Sequence, residues 1–184
     1  YGITFSEQQF ARPFINNQMI ERVFHAQASY VKEHYLVHLH DDIYTLKPQF
    51  DTQQKIATAF ANKHTSQDYM LRNGLYTLLN NVLFLNDKQD NKLFHPRIIA
   101  HTTFTYEALS EHHKNCFNRL YNDYFYQRNN QFWYREAMKK LPKLIEATHM
   151  LVCAEDLGMV PTCVSWVMQQ LRILSLEVQS MPKA

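Results

Sequence analysis

Apolar positions recur at helical spacing through most of the first 148 residues. Between Asp68 and Leu85 they stand three or four residues apart, and Thr65 or Ser66 precedes them as a helix cap. Between such stretches, residues 43–50 and 86–96 are polar or contain proline, and we expect connectors there. The spacing predicts helices over residues 28–40, 52–63, 68–85 and 110–141, with a break near Asn129–Asn130, and a short helix that starts at Pro142.

The pattern changes after residue 148. Met150–Ala154 is a short apolar run rich in strand formers, and Pro161 opens a helix that extends to about Leu171. Leu174–Val178 has the composition of a second strand. This order of elements predicts one βαβ unit. We therefore expect a mainly α-helical segment over residues 1–148, followed by a strand-helix-strand piece over residues 149–184.

Composition excludes several classes of protein. The 184 residues contain only three glycines. The sequence therefore lacks the glycine-rich phosphate-binding motifs and the nucleophile-elbow motif, which need glycines at fixed spacing. A formal charge of +2 does not indicate a nucleic acid partner, and no apolar run is long enough to span a membrane. Three cysteines without a CxxC pattern do not indicate a disulfide framework, and they fit a reducing, cytoplasmic compartment.

Two carboxylates follow the first predicted strand directly. Glu155 and Asp156 stand where parallel α/β folds concentrate catalytic side chains, and a carboxylate there can act as a general acid. The alternative is that either acid caps the following turn. Within the strand, Cys153 has the character of a small buried hydrophobe.

Histidines gather at the end of the predicted helix 28–40. His34 and His38 stand four residues apart, and His40 follows them, which is a spacing that metal sites use. Histidines also favour the C-terminal end of a helix because its dipole is negative there. We prefer this second interpretation and predict no metal at these residues.

The segment around Glu155 resembles a known family. The run Cys153-Ala154-Glu155-Asp156-Leu157-Gly158 is similar to the Glu-Asp-Leu-Gly motif of the 4-α-glucanotransferases, the amylomaltases and disproportionating enzymes. The similarity extends over nearly the whole chain and is typical of the longer, plant-cytosolic and bacterial branch. Further stretches that carry it are residues 10–15, Phe94-His95-Pro96-Arg97, residues 119–124, Phe132-Trp133 and residues 174–182.

The resemblance implies a retaining transfer of α-1,4-glucan segments on a (β/α)8 barrel, with no metal and no cofactor. In that family the residue matching Glu155 is the acid/base, and we expect Asp156 to contact a sugar hydroxyl. The family's nucleophile lies in an Arg-x-Asp-His motif and its third acid follows a later histidine, and neither pattern stands at the matching place here. We therefore expect an internal segment of a larger enzyme, in which residues 1–148 form a helical insertion.

By the same reasoning, the partners are an α-1,4-glucan or maltooligosaccharide and the rest of the parent polypeptide. We expect the isolated chain to be inactive. The other interpretation is a non-catalytic helical binding module. Phe, Tyr and Trp make up 14% of the residues and could serve a partner surface, although such rings more often pack in a core.

Overall fold

A computed structural model describes residues 1–2, 4–148, 150–155 and 158–176. The chain forms two compact units, one over residues 2–114 and one from residue 115 onward together with Tyr1. The boundary predicted between residues 148 and 149 concerns a different division, that between a helical insertion and a barrel segment. This boundary stays a prediction.

The first unit combines short helices with two small antiparallel sheets. Side chains of Asn16, Thr52 and Thr65 cap helix N-termini by accepting a backbone N–H three residues on. The helices are α1 (Glu7–Phe10), α2 (Asn17–Phe24), α3 (Ala28–Tyr35), α4 (Gln53–Ala59), α5 (Ser66–Leu79) and α6 (Phe104–Glu107), with 3₁₀ turns at His25–Gln27 and Ala100–Thr102. The strands are β1 (Ile15–Asn16), β2 (Leu36–His40), β3 (Ile43–Leu46), β4 (Phe84–Asn86) and β5 (Phe94–Pro96).

A β-hairpin replaces the second half of the helix predicted over residues 28–40, so that prediction was wrong. Helix α3 ends at Tyr35, and β2 pairs with β3, which also pairs with β1. Asp41 turns the chain with a φ of 46°, a left-handed conformation that a short polar side chain tolerates. In this pairing Leu36 is buried opposite Leu46, and such a tertiary contact outweighs helix propensity.

A second hairpin lies where a polar loop was predicted over residues 86–96. Strands β4 and β5 pair with Leu85 opposite His95, and the intervening turn is held by Asp87. The Asp87 carboxylate accepts from His95 Nε2 at 2.7 Å and from the backbone N–H groups of Gln89 and Asp90. The polar residues therefore build the turn, and the strands beside them were missed because each has only three residues.

The core of the first unit lies between α2, α3 and α5. Gly74 of α5 lets the ring of Phe24 lie directly against the helix backbone, where a Cβ would stand 2.6 Å from Phe24 Cζ. The fully buried residues Ile20, Val31 and Leu75 belong to the same cluster. The absence of a side chain at Gly74 therefore sets how closely α2 and α5 can pack.

The second unit contains α7 (Glu111–Asn122, whose first residues belong to the first unit), a π-helical turn at Asp123–Gln127, α8 (Asn130–Glu146) and α9 (Thr162–Leu171). Its strands are β6 (Cys153–Glu155) and β7 (Leu174–Leu176). Pro142 lies inside α8, so the prediction that a new helix starts there was wrong. Packing of α8 against α9 overrides the local preference of proline.

None of the helices in the described ranges has the length and apolar character needed to cross a membrane.

We predict that Gly74→Ala destabilises the chain. The new methyl group would overlap the Phe24 ring, and overpacking of this kind costs about 1–3 kcal/mol. Thermal unfolding measures the effect, and Asn73→Ala on the exposed side of the same helix is the control. An unchanged melting temperature for Gly74→Ala would contradict the packing described above.

We also predict an acid-dependent contribution from Asp87. Its hydrogen bond with His95, followed by the two backbone N–H bonds, lowers the pKa of Asp87 from 3.8 to about 2. Because the folded-state pKa is depressed, the stabilisation is present above about pH 4 and is lost as the pH falls towards 2. Asp87→Asn should lower the urea midpoint near neutral pH, and its difference from the unsubstituted chain should shrink at about pH 3.

Asp90→Asn is the matched control, since the Asp90 side chain lies in the same turn and accepts a hydrogen bond from the N–H of Lys92 instead of from His95. If the midpoints of the Asp87 variant and the unsubstituted chain differed equally at both pH values, the assignment would be wrong.

Candidate active site

Glu155 is the last residue of β6 and is exposed. Strands β6 and β7 run parallel with α9 between them in sequence, and Glu155 stands opposite Leu176. The ladder extends one residue before β6, because Val152 O accepts from Leu174 N at 3.0 Å. Even with this bond the strand itself begins at Cys153, so the predicted start at Met150 was wrong. Glu155 holds the position that catalytic carboxylates occupy in parallel α/β folds, at the carboxyl end of a strand.

Large apolar side chains around this strand pair face solvent. Met150 and Leu151 are 76% and 71% exposed, and Leu174 and Leu176 are about half exposed. Cys153 is exposed as well, so the prediction that it is buried was wrong. Cys153 is exposed because an apolar strand is buried only when other elements cover it. A parallel pair with both faces open has the surface of an incomplete sheet.

The loop after Glu155 is described from Gly158 onward. Asp156, the predicted substrate contact, lies outside the described residues, so its position stays a prediction. Gly158 has a φ of +86°, which a residue with a side chain adopts only under strain. The chain then runs through Pro161 into α9. A glycine at this turn fits the Glu-Asp-Leu-Gly pattern recognised in the sequence.

Asn130 anchors the start of α9. Pro161 stands at the N-cap and offers no side-chain hydrogen bond, and the Asn130 Oδ1 atom accepts from Cys163 N at 3.1 Å instead. Asn130 is buried although it is polar, and Cys163 and Val167 are buried nearby on α9. This anchor was missed in the sequence because it joins residues 33 positions apart and leaves no local pattern.

Two of the three histidines considered as metal ligands contact backbone carbonyls. His34 lies on α3 and contacts Tyr30 O at 2.9 Å, whereas His38 lies on β2 and contacts Asp41 O at 2.7 Å. The premise that both stand one turn apart on a helix was therefore wrong. Within the described part of the chain, no group of three or more His, Cys, Asp or Glu side chains is arranged to hold a metal ion. The prediction of no metal stays a prediction.

Comparison with protein families adds to this geometry. The family model of the 4-alpha-glucanotransferases matches residues 16–184, a range that covers most of the first unit and includes Glu155 in the second. The chain belongs to this family. The membership agrees with the resemblance seen around the Glu-Asp-Leu-Gly motif.

A curated relative points the same way. The chain is 33% identical over 179 residues to the 4-alpha-glucanotransferase DPE2 of Oryza sativa subsp. japonica. The match covers 95% of this chain and only 19% of that protein, so the chain spans about one fifth of the relative's length. No solved structure matches the chain.

We predict that Asn130→Ala loosens α9. The substitution leaves the N–H of Cys163 without its acceptor, and loss of a helix cap costs about 1 kcal/mol. Thermal unfolding should show the loss, and the Cys163 amide should exchange its hydrogen faster. Asn129→Ala is the control because Asn129 is exposed and makes no side-chain cap bond at the start of α8. Equal effects of the two variants would refute the anchoring role.

Proposed function

We propose that this chain is a segment of a 4-α-glucanotransferase that moves α-1,4-glucan segments between maltooligosaccharides or glucans. Family membership over residues 16–184 is the observation that carries the proposal. The similarity to a relative named as such an enzyme supports it. The substrate class is therefore an α-1,4-glucan, the partner is the rest of the parent polypeptide, and the compartment that fits is the cytoplasm. The reaction needs no cofactor.

We propose that Glu155 is the acid/base of a retaining double displacement. A carboxylate from another part of the parent attacks the anomeric carbon, and Glu155 protonates the glycosidic oxygen as the bond to the leaving glucan breaks. In the second half-reaction Glu155 takes the proton of an acceptor hydroxyl, which then displaces the enzyme carboxylate. Such a pair of carboxyl groups must lie about 5 Å apart. The exposed position of Glu155 at the end of β6 leaves room for both sugars.

The proposed setting is a (β/α)8 barrel in which residues 149–184 supply a strand, a helix and a further strand. Support comes from the parallel pairing of β6 with β7 and from the exposed apolar side chains around both strands. In a parallel barrel, neighbouring strands and an outer layer of helices cover such surfaces. Residues 1–148 would then be a helical insertion in that barrel, and Asp156 would bind a sugar hydroxyl beside Glu155.

We predict that Glu155→Gln in the full-length enzyme lowers transfer between maltooligosaccharides by about 10²–10⁴-fold. Glutamine keeps the shape and can accept a hydrogen bond, but it cannot supply the proton that the leaving glucan needs. Glucose released from maltotriose measures the transfer. Because Glu155 is exposed, the melting temperature should remain the same.

An activated donor provides the control. The fluoride ion of α-glucosyl fluoride leaves without protonation when the enzyme carboxylate attacks the anomeric carbon, so the Gln variant should still form the covalent glucosyl-enzyme from this donor. A variant that transferred maltooligosaccharides at the parental rate would remove the acid/base role from Glu155. If the Gln variant reacted equally slowly with maltooligosaccharides and with α-glucosyl fluoride, the acid/base role would also be contradicted. Glu155 would then contribute to substrate binding or to folding.

A further inference from the structure

A small polar pocket lies in the first unit between the end of α5 and the segment that leads into α6. Its volume is about 250 Å³, below the ~300 Å³ at which pockets for drug-sized ligands begin. It suits one pyranose ring rather than a longer chain. Two aromatic residues, one arginine, two asparagines and three threonines line it: Tyr76, Thr77, Asn80, Asn81, Arg97, Thr102, Thr103 and Phe104.

Arg97 is the charged residue of this pocket. It follows β5 in the Phe94-His95-Pro96-Arg97 stretch, and its backbone N–H bonds to Leu83 O at 2.8 Å, which continues the hairpin. Its side chain donates to the carbonyl of Asn80, the residue that ends α5. A guanidinium has five N–H donors, so this bond leaves donors for a ligand. The guanidinium is partly withdrawn from water, and this burial lowers the pKa of Arg97.

The aromatic residues have fixed positions. Tyr76 and Phe104 both pack against the core of the first unit. Phe104 also has the guanidinium of Arg22 above its ring, 4.7 Å from the centroid, and Arg22 is in turn paired with Glu107. Rigid rings of this kind bind the apolar faces of sugars at low entropic cost, while amides, hydroxyls and a guanidinium bond to sugar hydroxyl groups.

Charge distinguishes the possible ligands. The pocket lies at the C-terminal end of α5, where the helix dipole is negative and partly offsets the charge of Arg97. An anion such as phosphate would meet the carbonyl of Asn80 beside the guanidinium. A neutral ligand with many hydroxyl groups can use the guanidinium as donor and the carbonyl as acceptor together. The pocket therefore favours a sugar over an anion.

A larger cleft in the same unit is a weaker candidate. Its volume is about 690 Å³, and α1 and the β2–β3 hairpin contribute to its lining. However, its charged side chains already have partners, since Arg12 pairs with Glu7 and Asp51 pairs with Lys55. The smaller pocket combines aromatic rings with an arginine whose side chain bonds to a carbonyl of the described chain rather than to a carboxylate.

We propose that the Arg97 pocket binds one glucosyl unit of an α-1,4-glucan as a holding site, through residues that do not include Glu155. The identity of the sugar rests on the proposed transferase function. The pocket itself does not include Glu155, so binding and transfer can fail independently.

Titration of the ¹⁵N-labelled 184-residue chain with maltotriose tests this proposal by NMR. We expect saturable shifts at Tyr76–Asn80 and Thr102–Phe104, with a dissociation constant on the order of 1–10 mM because one sugar offers few atoms. Arg97→Met and Tyr76→Leu should each weaken binding at least about fivefold. Two variants are needed because the loss of Arg97 also removes the bond to Asn80 and could disturb the fold.

Arg72→Met and Tyr69→Leu are the matched controls, since both residues lie on α5 and neither lines the pocket. They should bind maltotriose as the unsubstituted chain does. Shifts that are absent, that do not saturate, or that persist unchanged in Tyr76→Leu would overturn the proposal. Stronger binding of inorganic phosphate at the same amides would overturn it in favour of an anion site.

The Glu155→Gln variant separates the two proposals. It should bind maltotriose at the pocket with unchanged affinity, while the full-length variant loses transfer. A parent enzyme without transferase activity but with a saturable sugar pocket would refute only the proposed function. An active parent whose pocket does not bind maltotriose would refute only the pocket.

Discussion

The buried side-chain amide of Asn81 is the interaction on which the packing of the first unit depends. It is 1% exposed, its Nδ2 donates to Phe14 O, and its Oδ1 accepts from Thr105 N. Its own backbone carbonyl accepts from the Thr105 hydroxyl. A buried amide costs folding energy unless its partners are present, so these bonds hold three distant parts of the sequence in one arrangement. Asn80 is the neighbour of Asn81 in the chain, so the same bonds also fix the position of the Asn80 carbonyl. That carbonyl accepts a hydrogen bond from the side chain of Arg97.

Sequence patterns were reliable for helices whose apolar positions and caps agree. Helix α5 shows this, because Thr65 and Asp68 cap it reciprocally and Leu71, Leu75 and Leu78 face the core. The patterns failed at Leu36–His40, where histidines at helical spacing hid the alternation of a strand. The turn at Asp41-Asp42 was an available signal for that hairpin. Its pairing with β3, however, is a tertiary contact that local propensity does not encode.

The candidate site was predictable to the extent that it is local. Local patterns in residues 150–171 predict the strand, the glycine turn and the helix that follows. Glu155 could be identified as a candidate from its place at the end of that strand. The anchor at Asn130 and the pocket at Arg97 could not, because each joins residues far apart in sequence. The exposure of Cys153 was missed for another reason. An apolar strand predicts burial only if the chain also supplies what buries it, and the described residues leave both faces of β6 and β7 largely open.

Under the proposed function, the two units would meet different physical requirements. A general acid/base has to exchange protons with substrates that enter and leave, so it needs an open cleft completed by a second carboxylate. A holding site needs preformed walls that lose little freedom on binding, and the rings and guanidinium around Asn80 and Phe104 provide them within residues 2–114 alone. In the proposed enzyme Glu155 therefore acts together with strands from elsewhere in the parent, whereas the residues that line the Arg97 pocket all belong to this chain. The proposed binding of sugar by the first unit does not use Glu155, so we expect a chain that has lost transfer chemistry to keep it.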